Sequence, residues 1–155
     1  MCKKLVFVLA LALLAQPFLG RNSAASEDLL TTDDLEKVMG IHDLKLVPKS
    51  PQRGAGGDLN FALEDDTLVL MAIIQDSSIY EQWKGEEGFF HAAVVGIGDE
   101  AFEGPGFGEF RYILVFRKGN KGVCLSSFFN MEAGGDPFLS QEQLRELAKV
   151  VVSRL

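Results

Sequence analysis

Between Thr67 and Ile74 the chain reads TLVLMAII, apolar at every position but the first. A strand of this composition has no face suited to water, so it predicts a central strand covered on both sides. Its partner is supplied directly upstream. Leu59–Leu63, turned at Glu64–Asp65–Asp66, predicts a hairpin with the Thr67–Ile74 strand. A second hairpin is predicted from Glu109–Arg117 and Gly122–Phe129, joined across Lys118–Gly119–Asn120–Lys121, where glycine followed by asparagine suits a tight primed turn. The first arm alternates: Phe110, Tyr112, Leu114 and Phe116 are expected on one face, and Arg111, Ile113, Val115 and Arg117 on the other.

Covering elements are also legible. A helix is expected over about Asp33–Met39, capped by Thr32 or Asp33, striped with Leu35, Val38 and Met39, and closed by Gly40. Asp76 and Ser77 predict the start of a short helix that carries Ile79, Tyr80 and Trp83 and ends near Gly85. The strongest helical signal is C-terminal. Ser140 caps it, Gln143 completes a capping box, and Leu144, Leu147, Ala148, Val151 and Leu155 recur at helical spacing. Weaker strands are expected at Leu44–Val47, Val94–Ile97 and Ala101–Phe102, with turns at Gly98–Asp99 and Gly104–Pro105–Gly106 and a loop over 49–57. Together these predict an α+β domain: a mainly antiparallel sheet of about five to seven strands covered by helices.

Residues 1–25 stand apart. Lys3 and Lys4 precede an apolar run from Leu5 to Ala15, followed by the small residues Ser23, Ala24 and Ala25. This order is that of a cleavable secretory signal peptide, with cleavage expected after Ala25. The run is shorter than the roughly 20 apolar residues that span a bilayer. The expected organisation is therefore a leader over 1–25 and one exported domain over 26–155, periplasmic or extracellular, with no stable membrane anchor. Cleavage would remove three basic residues and no acidic one, leaving twelve basic against twenty-two acidic side chains, a net charge of −10. That balance argues against nucleic-acid and anionic-membrane partners. Cys124 would be the one cysteine left, so no intrachain disulfide is expected, and its apolar neighbours predict a buried, inert thiol.

The string VVGIGDEAFEG (Val94–Gly104), the later FRKGNKGVCLSS (Phe116–Ser127), the closing LRELAKVVVSRL helix and the opening LLTTDDLEKVMG (Leu29–Gly40) resemble small exported bacterial domains of the PsbP-like α/β/α sandwich. The resemblance implies that fold. It implies no particular activity, since those relatives include many lipoproteins without an assigned role. The chain departs from them in lacking a lipidated cysteine after its apolar run and the paired cysteines many of them carry.

Chemistry-bearing patterns are sparse. His42 and His91 are the only histidines, and neither has a second metal-type residue at ligand spacing. Ser126 or Ser127 with His91 and Asp99 could be drawn as a triad, yet no strand–turn–helix elbow surrounds either serine, and both are expected within a strand, one on each face. The glycine-rich stretches lack the lysine and hydroxyl residue of a phosphate loop. Adjacent acids at Asp65–Asp66, Glu86–Glu87 and Asp99–Glu100 lack the alternating ligands of a calcium loop. No cofactor is expected. What remains is aromatic: Trp83, Phe89, Phe90, Phe107, Phe128, Phe129 and Phe138 fall at predicted loops and element ends. Of these, Trp83, Phe89, Phe90 and Phe107, with His91, are the candidate binding residues. The expectation is a non-enzymatic exported domain that binds a protein partner in the cell envelope. The alternative is a small apolar ligand beside the middle helix, with a hydrolase the least favoured reading.

Overall fold

The computed structural model describes residues 26–48, 59–86 and 91–155. The expected leader, the 49–57 loop, Phe89 and Phe90 lie outside them. The elements run α1 (Thr32–Met39), β1 (Lys45–Val47), β2 (Leu59–Ala62), β3 (Leu68–Asp76), α2 (Ser78–Lys84), β4 (Ala92–Val94), β5 (Glu100–Pro105), β6 (Phe110–Lys118), β7 (Lys121–Asn130), β8 (Asp136–Pro137) and α3 (Gln141–Arg154). The strands form one antiparallel sheet in the order β1-β2-β3-β7-β6-β5-β4, and β8 pairs with the end of β7. The fold is thus α+β, as expected, but with eight strands among the described residues rather than five to seven. The extra one, β8, is a two-residue pairing of Asp136 and Pro137 with Asn130 and Phe129, too short to leave a periodic signal.

β3, the all-apolar strand, sits between β2 and β7 and is buried over most of its length. Helices α1 and α3 cover one face of the sheet. Leu35 of α1 and Leu144, Leu147, Ala148 and Val151 of α3 pack there with Phe61, Leu70, Leu114, Phe116, Val123 and Leu125. The shorter α2 lies on the other face, where Tyr80 packs with Phe102, Ile113, Val115 and Cys124. Close approach of α2 is permitted by Gly122. A Cβ on that residue would strike Ile79 Cγ2 and the Asp76 carbonyl oxygen.

Several expectations shift on the structure. The α1 cap is Thr31, one residue before the expected pair. Its Oγ1 accepts from the Asp34 amide (3.3 Å), and Asp34 Oδ2 accepts from the Thr31 amide (2.9 Å). A capping box outcompetes a lone cap because it satisfies two orphan amides at once. The strand expected at Val94–Ile97 ends at Val94, and residues 95–99 bend away. Gly104 and Pro105 extend β5 instead of turning it. β4 pairs only as far as Glu103, so Pro105, which has no amide hydrogen to donate, lies where no described strand needs one. The β6 alternation also breaks at its start. A bulge sets Phe110 opposite Phe128 and Tyr112 opposite Ser127, so Phe110 joins the α2 face instead of the face of Leu114 and Phe116.

The C-terminal helix has the expected cap, with Ser140 and Gln143 exchanging bonds of 3.2 and 2.9 Å. Its far end is tied to α1: Arg154 donates to Asp34 Oδ2 at 2.6 Å and Oδ1 at 2.9 Å. Burial alone would raise the Asp34 pKa, but the bonds from Arg154 and Thr31 outweigh it and hold the carboxyl at about 2. Because that value lies below the ordinary 3.8, the charge stabilises the fold at neutral pH, and the contribution is lost as pH falls through about 2. Arg154→Ala is therefore expected to cost about 1 kcal/mol at neutral pH, a partly solvated charge-assisted pair. Urea unfolding repeated toward pH 2 should show that cost fading. A cost unchanged by acid would assign it to lost packing of the arginine stem.

Candidate binding surface beside the short helix

The α2 face carries two adjoining features, and both start from aromatic residues one helical turn apart. Tyr80 and Trp83 project from the same side of α2, as the i, i+3 spacing requires. Around Trp83 lies an aromatic ledge. Its ring is 5.6 Å from Phe107; Phe107 stands edge-on to Phe110 at 6.4 Å, and Phe110 meets Phe128 at 4.8 Å. The bulge in β6 is what brings Phe110 to this face. Phe107 is 54% exposed, an unusual degree for a phenylalanine held in ring contacts on two sides.

Around Tyr80 lies a groove of about 440 Å³, lined by Tyr80, Lys84, His91, Phe102 and the chain from Ala93 to Ala101. The Phe102 ring is 5.3 Å from Tyr80 and 4.8 Å from His91. Glu100, in that lining, is the centre of a polar knot. Glu100 accepts from the Tyr80 hydroxyl at 2.9 Å and from Arg117 at 3.1 Å, with Lys84 more distant at 3.5 Å. The Arg117 bond, then the Tyr80 bond, holds the Glu100 carboxyl at about 2, while burial and the same Glu100 contact push the Tyr80 phenol up to about 12. Glu100 is thus ionised and Tyr80 protonated throughout the neutral range. The knot fastens α2 to β5 and β6.

Of the residues singled out in the sequence, Trp83 and Phe107 meet in the ledge and His91 lies in the groove. The two features share α2, so all three belong to one side of the molecule. Phe89 and Phe90 fall outside the described residues. Tyr80, Phe102 and Phe110 were not singled out. The Tyr80–Trp83 spacing was a usable signal for the first, whereas Phe110 depends on a bulge and Phe102 on strand pairing.

The triad residues are engaged elsewhere. Ser127 Oγ accepts from the Leu139 amide at 2.9 Å, and buried Ser126 lies 3.6 Å from Cys124 Sγ. Asp99 accepts from the Gly119 amide at 2.7 Å and from Lys118 at 3.2 Å, which pins the 95–99 bend to the β6–β7 turn. Gly98 sits in that bend at φ +59°, where a Cβ would strike the Arg117 carbonyl oxygen. The chain matches no protein-family model, no curated protein and no solved structure. Among the described residues, no three His, Cys, Asp or Glu side chains converge as a metal would require, and no helix is long and apolar enough to cross a membrane. Cys124 is fully buried, and burial pushes its thiol up to about 12, so the reactive thiolate is scarce at neutral pH.

Proposed function

We propose that this chain is an exported, non-enzymatic binding domain of the PsbP-like type, and that a protein partner in the cell envelope docks on the aromatic ledge of Trp83 and Phe107. The observation that carries the reading is Phe107: a large ring, 54% exposed, held against Trp83 at 5.6 Å. Exposed aromatic rings kept rigid by neighbours are what protein interfaces use as anchors, because little side-chain freedom is lost on docking. Export rests on the order of residues 1–25, and the family likeness on the strings quoted above.

Phe107→Ala should fold as the parent does, since the residue is already 54% exposed and lies outside the core. The full chain and this variant, each used as bait in envelope extract, are expected to differ: a protein retained by the parent should fall at least tenfold with F107A, as loss of a hot-spot ring costs about 2 kcal/mol. Identical captures by both would overturn the reading.

The groove beside α2 favours a second reading, a small-molecule ligand. Its lining mixes Tyr80, His91 and Phe102 with Lys84 and Glu100, so the ligand would need a polar group as well as the apolar body expected at first. Native-state binding at a hundredfold excess over Kd adds about 2.7 kcal/mol of stability. A metabolite and lipid screen that never raises the melting temperature would remove it.

A further inference from the structure

We infer that the bond after Ala25 is open to a leader peptidase only before the domain folds, because the residues that follow it are built into the core. The inference rests on the export reading above and adds an order of events: cleavage first, folding second. The step is a hydrolysis. Water adds across the Ala25–Ser26 amide, leaving a carboxylate on Ala25 and an ammonium group on Ser26. The first residues of a domain are usually a loose tail, and such a tail gives a protease room to work. Among the described residues there is none. Ser26 is only 4% exposed, and Leu30 is wholly buried. Leu30 belongs to the main core with Leu35, Leu144 and Leu147, and Leu29 packs against the same cluster.

Backbone groups fix the segment as well. The Ser26 carbonyl accepts from the Leu29 amide at 3.1 Å, and the Leu29 carbonyl accepts from Arg154 Nη1 at 3.3 Å. The same guanidinium grips Asp34 of α1, so one side chain from the end of α3 ties down both the lead and the first helix. A peptidase binds its substrate extended, with residues on both sides of the cut bond in its cleft. Ser26–Leu30 can meet that demand only by leaving the core, which exposes Leu30 and takes the Leu29 carbonyl from Arg154. The folded chain is then cut only through this open form, at a rate that falls with the open form's population. Leu144, Leu147 and Arg154 all lie on α3, the last element of the chain. The lead is therefore sealed only after the whole domain is available, which leaves the growing chain open to the peptidase.

The test offers the full chain, residues 1–25 in place, to a purified bacterial leader peptidase in detergent. The unfolded reference carries Leu144→Asp with Leu147→Asp, two charges at buried core positions that keep the chain open in the same buffer. The reference is expected to be cut to a new N-terminus at Ser26, and the folded parent to be cut at least tenfold more slowly. A six-residue Ser–Gly spacer between Ala25 and Ser26 reaches about 20 Å when extended and moves the cut bond off the domain. It should restore the fast rate in a chain that still folds. Arg154→Ala, which frees the Leu29 carbonyl, should speed cutting of the folded chain about fivefold. Equal rates for the folded parent and the unfolded reference would overturn the inference and leave the export reading standing. A folded spacer variant that stays slow would also overturn it, by placing the protection elsewhere. If the unfolded reference is not cut at all, the export reading fails and the inference falls with it.

Discussion

Phe116→Ala is expected to lower stability by about 3–5 kcal/mol, the range for removing a fully buried phenylalanine. The ring is wholly buried on β6, between Ala101 of β5 and Val123 of β7, and packs into the face covered by α1 and α3. Neither neighbouring strand can move in to fill the space, because both are locked by ladder bonds on either side of β6. The variant should therefore retain most of the cavity, and its cost should fall in the upper part of the range. For a domain of this size the melting temperature should drop by about 10 °C or more. Chemical unfolding gives the free energy directly. A loss under about 1 kcal/mol would mean that the α1/α3 face is not the main core. Val95→Ala is the matching control: an exposed valine should change stability by less than about 0.5 kcal/mol.

Arg145→Met should come next in size, at about 2–4 kcal/mol. Glu103 is only 6% exposed, on the β5 face beneath α3, and Arg145 holds it with two bonds: Nε to Oε2 at 2.8 Å and Nη2 to Oε1. The guanidinium, partly in water, has its pKa raised further by the Glu103 bonds. Removing the arginine strands a buried carboxylate, and the penalty comes from that uncompensated charge more than from the lost attraction. The double variant E103Q/R145M should recover most of the stability, since an uncharged amide needs no counter-ion. Equal stability of the single and double variants would show that Glu103 already reaches water and that the pair is a surface one.

Much of this architecture could be read before any coordinates. The C-terminal helix begins at Ser140 with its capping box, the two hairpins form where glycine and acidic turns were found, and TLVLMAII lies between two strands. These elements are encoded by short-range regularities: period, cap and turn chemistry act over a few residues. Trp83, His91 and Phe107 were likewise visible as aromatic and imidazole groups near element ends. Their grouping was not. Phe110 was expected with Leu114 and Phe116, and it reached the ledge because one residue bulges out of the ladder where β6 meets Phe128. The Glu100 knot joins a helix, a strand and a hairpin arm, so nothing local marked Glu100 as the residue that fastens α2.

Unaided, the chain's own pattern determined that there would be an antiparallel sheet, which strand would be central, and where the capped helices would start. Those outcomes follow from hydrophobic period and from backbone groups that must find partners close in sequence. The tertiary structure alone decided which aromatics meet and which carboxylates are held by arginine. Those outcomes depend on register and on strand order, where a single bulge reverses the face of a side chain and a crossover brings residues far apart in sequence into contact.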